Sequence, residues 1–96
     1  SGRSETYDVT MAHLLYFALI REQIGHPEEQ MSLPPGVTTV QKLIDHLRSC
    51  NDHYARAFAD MQKVRVAVNE EYVSLHHPIS ANDEIAFFPP MTGGRL

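Results

Sequence analysis

The sequence has a single cysteine, Cys50, and no tryptophan. One thiol can form neither an internal disulfide nor a multi-cysteine zinc site, so packing alone must hold the core, and the cytoplasm is the expected compartment. Basic residues are also scarce. Eight Lys and Arg stand against twelve Asp and Glu, for a net charge of −4. A nucleic-acid partner demands a basic stripe, and none is present. Long apolar runs are missing too. The longest, Leu14 to Ile20, falls far short of the ~20 residues of a membrane-spanning helix. No basic–apolar–small signal segment opens the chain, and no membrane association is expected. What is there is 96 residues, 43% hydrophobic and 21% charged, which suits one domain and argues against disorder over the whole length.

Along the chain, Ser1-Gly2-Arg3-Ser4 is small and polar, and the patterned sequence starts at Met11, which looks like an initiator. Residues 1–10 are expected to be a disordered leader or a vector-derived remnant, 11–90 the folded domain, and 91–96 a flexible tail. Ala12 to Ile20 reads as a strand, apolar on both faces and hence central. Gly25-His26-Pro27 is turn material, and Gln30 to Leu33 reads as a short second strand in a hairpin with the first. Thr38 and Gln41 have capping-box spacing. Val40, Leu43, Ile44 and Leu47 then fall on one helical stripe. Asp52 is expected to cap a second short helix carrying Tyr54, Phe58 and Met61. Val64, Val66 and Val68 alternate with other residues, the period of a strand. After a turn at Asn69-Glu70-Glu71, Tyr72 to Leu75 returns as another strand. Glu84 to Phe88 is the last, ended by Pro89-Pro90. Strands at both ends with one strong helix between them predict an α+β fold, with the first and last strands parallel neighbours.

The most informative stretch is Glu84-Ile85-Ala86-Phe87-Phe88-Pro89-Pro90-Met91-Thr92-Gly93-Gly94. A bare Gly-Gly is a weak signal. Gly-Gly after an aromatic strand and two prolines, in a chain of this size, is a strong one. Together with Phe17-Ala18 and Arg21-Glu22, Val66-Ala67-Val68-Asn69, Val73-Ser74 and His77-Pro78, it resembles the molybdopterin synthase small subunits. These form the MoaD family of ubiquitin-like, β-grasp sulfur carriers. The resemblance runs from Met11 to Gly94. It implies a mixed sheet of about five strands packed on one main helix plus a short helix. It also implies that the Gly94 carboxylate, supported by Gly93, is adenylated by an ATP-using, ubiquitin-activating-type enzyme and converted to a thiocarboxylate. The tail then enters the large subunit of molybdopterin synthase, within a heterotetramer, and gives its sulfur to cyclic pyranopterin monophosphate. No bound cofactor is implied.

The residue types suit that role on physical grounds. Glycine offers a threading tail the smallest cross-section and the widest dihedral range. Ordering residues 89–94 costs ~6–12 kcal/mol at about 1–2 kcal/mol each, and Pro89-Pro90 lowers this by pre-setting φ. The remainder must come from docking of the folded body, which predicts an exposed apolar patch near the tail. Phe17, Tyr72 and Phe88 are the candidates, with Arg21 at the rim, and Pro89, Pro90, Met91 and Thr92 are expected to accompany the tail into the partner. By pattern alone the three aromatics read more readily as ordinary core, and it is the resemblance that turns them toward a partner surface.

Arg95-Leu96 departs from the family pattern, because an amide at Gly94 cannot be adenylated as a carboxylate. The two residues are read as a cloning remnant, a precursor extension or a mark of a lost carrier role. Six histidines invite a metal hypothesis, but His76-His77 point to opposite faces of a strand, and His46 and His53 are read as lacking a completing carboxylate or cysteine at helical spacing. No metal site is expected. Cys50 reads as a half-buried structural cysteine, and Glu28-Glu29 and Glu70-Glu71 as solvated loop charges. Two rival roles remain at this point, a thiamine-pathway sulfur carrier and a ubiquitin-like protein modifier, beside a plain binding module with an irrelevant tail.

Overall fold

In the computed structural model, which describes residues 11–90, the first apolar run divides at Phe17. Strand β1 is Met11–Tyr16 and helix α1 is Ala18–Ile24. The single strand expected over Ala12 to Ile20 is thus corrected. Its physical limit is the ladder. Phe17 N still donates to Phe87 O at 3.1 Å, but the neighbouring strand then runs into Pro89-Pro90, which has no N–H to offer a longer partner. Beyond Phe17 the buried positions are Ile20 and Ile24, four apart, which is helical spacing. Ala18 makes the turn with φ 56°, and α1 ends at Gly25, whose φ of 102° is cheap only for glycine.

Strand β2, Glu28–Ser32, begins two residues before its expected start and pairs antiparallel with β1. A helix rather than a simple loop joins the two. Helix α2, Val40–Cys50, buries the expected stripe Val40, Leu43, Ile44 and Leu47. Its cap is Thr39, whose hydroxyl accepts from Lys42 N at 3.2 Å, not Thr38. The Thr38 carbonyl is engaged elsewhere, accepting from Ile79 N at 2.9 Å, and Gln41 turns its amide to Asp45. Helix α3, Asp52–Ala57, is capped by Asn51 rather than Asp52, because the Asn51 side chain accepts from His53 N and Tyr54 N. A 3₁₀ turn at Met61–Lys63 follows, so Met61 lies beyond the helix expected to carry it, and Phe58 sits at its C-cap.

Strands β3, Arg65–Val68, and β4, Glu71–Val73, form a hairpin. Asn69 and Glu70, at φ 52° and 72°, supply the two positive-φ positions of a tight two-residue turn. Strand β5 is Glu84–Phe88, as expected. The sheet order is β2-β1-β5-β3-β4, with β1 and β5 parallel and the other pairs antiparallel. This is the five-stranded mixed sheet of a β-grasp fold. Its inner face sends Leu14, Tyr16, Ile85, Phe87, Val66 and Val68 into one core with the α2 stripe and Phe58. Phe87 is fully buried and lies between two rings, stacked on Tyr16 at 5.8 Å and edge-on to Phe58 at 5.1 Å. The expectations for residues 1–10 and 91–96 fall outside the described residues.

Candidate partner interface and tail exit

Side chains alternate across a sheet, so the set opposite the core can be read from the register. One row is Leu15, Ala86, Ala67 and Tyr72, aligned by the pairs Leu15↔Ala86, Ala67↔Ala86 and Ala67↔Tyr72. The next row holds Phe88 opposite Arg65. Phe17 stands one step past the Tyr16↔Phe87 pair, beside Phe88. Phe17 is 45% exposed and Tyr72 79% exposed. Phe88 is half-buried, with its ring 5.3 Å from that of Tyr72. None of the three belongs to the core. Arg21 is exposed on α1, within five residues of Phe17. The structure therefore brings Phe17, Tyr72 and Phe88 onto one open sheet face, and Pro89-Pro90 follow from the C-terminal end of its central strand, β5. Met91, Thr92, Gly93 and Gly94 lie outside the described residues.

Four further apolar positions lie outside the expected set of partner-facing residues. Leu15, Ala67 and Ala86 fill the middle row, and Leu19 on α1 is 57% exposed. The period-two alternation of β1, β3 and β5 could have pointed to the three sheet residues. Leu19 could not be found that way, because the helix that turns it outward was itself read as strand.

A polar cluster sits on the opposite side of the sheet, at its β2 edge. Glu29 is half-buried and accepts hydrogen bonds from Tyr16 Oη at 2.7 Å and from Tyr54 Oη. His26 Nε2 lies 3.3 Å from the same carboxylate, at an angle that makes no hydrogen bond. Burial alone would raise the Glu29 carboxyl pKa, but the tyrosine hydroxyls and His26 outweigh it and hold it below the usual value. Burial, reinforced by the Glu29 charge, pushes both tyrosine hydroxyls upward. Glu28 also has a partner, His13 Nε2 at 2.7 Å. Reading Glu28-Glu29 as free loop charges is thus corrected: both are in β2, and Glu29 ties β1 and α3 to it.

Cys50 is exposed rather than half-buried, because it falls on the outer side of the last turn of α2. Its Sγ lies 3.5 Å from His46 Nε2. Cys50 is four residues after His46, so that histidine does have a cysteine at helical spacing, contrary to the sequence reading. Two groups do not complete a metal site. Among the described residues no three His, Cys, Asp or Glu are gathered to hold an ion, and no helix is long and apolar enough to cross a membrane.

A cleft of about 380 Å³ opens beside the tail exit. Leu19, Ile20 and Gln23 of α1 form one wall, Arg56 and Ala57 of α3 with Asp60 and Lys63 another, and Pro89-Pro90 close it.

The sequence profile of the ThiS family matches residues 14–94. The chain belongs to the ThiS family. The molybdopterin synthase sulfur carrier subunit of Escherichia coli is 39% identical over 84 residues, covering 88% of this chain and all of that protein. Its namesake in Haemophilus influenzae is 37% identical over 84 residues, with the same coverage. Among solved structures, a putative molybdopterin converting factor subunit 1 from Pyrococcus furiosus superposes with a TM-score of 0.69 at 28% identity. It covers 85% of this chain and 99% of that one. The ThiS-family match stops at Gly94 and leaves Arg95 and Leu96 outside it.

Proposed function

We propose that this chain is the sulfur-carrier subunit of a molybdopterin synthase. The 39% identity to the Escherichia coli sulfur carrier subunit, over that protein's full length, carries the reading. The active form ends at Gly94. Its carboxylate oxygen attacks the α-phosphorus of ATP on an adenylating enzyme of the ubiquitin-activating type, releasing pyrophosphate. A sulfur donor then displaces AMP and leaves a thiocarboxylate. The open face of Phe17, Tyr72 and Phe88 docks on the large subunit, Arg21 meets carboxylates at its rim, and residues 89–94 carry the sulfur to cyclic pyranopterin monophosphate. Fully burying an exposed aromatic gives about 1.5–3 kcal/mol; Phe17 and Phe88 are already partly covered, so the three together offset part of the tail's ordering cost.

The reconstituted reaction tests this. A chain ending at Gly94, incubated with the adenylating enzyme, ATP and a sulfur donor, is expected to gain the mass difference of sulfur for oxygen. Adding the large subunit and cyclic pyranopterin monophosphate is then expected to yield molybdopterin and restore the carboxylate mass. The full chain ending at Leu96 is expected to stay unmodified. A thiocarboxylated chain that neither binds the large subunit nor yields molybdopterin overturns the reading in favour of the thiamine-pathway carrier. Isopeptide adducts on other proteins, without molybdopterin, overturn it in favour of a modifier.

A further inference from the structure

We propose that a group of cations at the C-terminal end of β5 orients this chain on the large subunit by meeting an acidic patch there. Residues 11–90 hold six Lys and Arg, and four of them, Arg21, Arg56, Lys63 and Arg65, lie at this end of the fold. Arg65 opens β3 directly opposite Phe88. Lys63 ends the 3₁₀ turn just before it, and Lys63 and Arg56 line the same cleft as Pro89 and Pro90. Arg21 is four residues past Phe17, whose N–H donates to Phe87 O at 3.1 Å. All four cations are exposed.

The other end of the same strand carries the opposite sign. Glu84 begins β5 and Asp83 precedes it. Glu70 and Glu71 stand beside them at the hairpin turn, where Asn69 N donates to Glu84 O at 2.8 Å and Asn69 Nδ2 to Asp83 Oδ1 at 3.1 Å. Two acids temper the basic end. Glu22 is on α1, and Asp60 accepts from Gln62 N through its carboxylate. Among the described residues no Lys or Arg is paired with a carboxylate. The net charge is −4, so positive charge in this chain is localised rather than abundant.

A five-residue strand such as β5 spans about 13 Å between its first and last Cα. That exceeds the Debye length of about 8 Å at physiological ionic strength. A surface approaching the Phe88 end therefore feels the local cations more than the net charge. Such a field raises association rates by about 10–10³ and fixes the orientation of docking. The cations also continue the open face, since Arg65 is opposite Phe88 and Arg21 follows Phe17. The aromatics supply burial, and the cations supply approach and register. The partner's identity rests on the sulfur-carrier reading.

Association of the chain ending at Gly94 with the large subunit, followed by stopped-flow fluorescence from about 0.01 M to about 1 M salt, tests the proposal. The association rate constant is expected to fall at least about tenfold across that range. Arg56→Glu combined with Lys63→Glu is expected to lower it at least about tenfold at low salt and to flatten its salt dependence, with the dissociation rate little changed. Neither side chain makes a hydrogen bond among the described residues, so the variant is expected to keep the parent's thermal midpoint. Glu70→Lys, at the far end, is expected to change the association rate less than about twofold. A parent chain that binds at a salt-independent rate overturns the proposal and leaves the sulfur-carrier reading standing. So does a folded double variant that associates as fast as the parent, or a Glu70→Lys effect as large as that of the double variant. A parent chain that does not bind the large subunit at any salt concentration overturns the sulfur-carrier reading, and this proposal with it.

Discussion

Glu29 shows how one residue can change meaning between sequence and structure. As half of an acidic pair next to a turn it looks like surface charge. Folded, it accepts from two tyrosine hydroxyls that reach it from β1 and α3. A part-buried charged acceptor of that kind contributes more than a solvated one, because neutralising it leaves two hydroxyls with a weaker acceptor. Glu29→Gln is therefore expected to cost about 1–2 kcal/mol at neutral pH, read from urea unfolding. The carboxyl pKa is lowered in the fold. Its contribution is thus complete above the unfolded value of about 4.3 and is lost as pH falls through the lower folded value. The stability difference between parent and variant is expected to shrink steadily below about pH 4. A difference independent of pH would place the effect in packing rather than in the charge. Phe87 and Phe88 make the same point in adjacent positions. One is sealed between Tyr16 and Phe58, and the other leans on Tyr72 at the open face.

At the scale of elements, α2 was the most legible piece. Its four buried residues stand at helical spacing, and tertiary contacts had only to agree with them. Its start was off by one residue, because Thr38 and Thr39 are equally good caps by type. The bridge from Thr39 to Pro78 and the bond from Ile79 N to the Thr38 carbonyl hold the preceding chain extended, and this selects Thr39. Thr39→Ala is expected to lose about 1 kcal/mol and Thr38→Ala well under half of that, by thermal or urea unfolding. Equal losses would mean that the hydroxyl is not the cap. Helix α1 was illegible for the converse reason. Seven residues with two buried positions make too little periodicity to separate from an apolar strand. The decision came from across the sheet, where the prolines after β5 end the ladder.

For the whole molecule, the sheet seals Phe87 in the core and leaves Phe88 on the open face, and the docking role proposed for the open face can be measured. Phe87→Ala is expected to cost about 3–5 kcal/mol of folding stability. Phe88→Ala is expected to cost clearly less, yet to weaken binding of the large subunit about tenfold or more, which corresponds to at least ~1.4 kcal/mol. Calorimetry of the two variants with the large subunit separates the roles. A Phe88→Ala chain that unfolds like Phe87→Ala would return Phe88 to the core and remove it from the interface.

By itself the sequence determined the class of fold, the parallel meeting of the first and last strands, the main helix and its stripe, and the Gly-Gly tail after two prolines. The elements rest on local signals, namely apolar period, turn residues and residues that cannot continue an element, each complete within a few neighbours, and the parallel pairing follows from the long connection between the first and last strands. Only the tertiary structure decided where β1 stops, which threonine caps α2, that Glu29 is bound while Cys50 is open, and that Phe17, Tyr72 and Phe88 share one face. Those outcomes depend on residues distant in sequence. Exposure and hydrogen bonding are properties of what lies opposite a side chain, and for these residues what lies opposite is set by the register of the sheet.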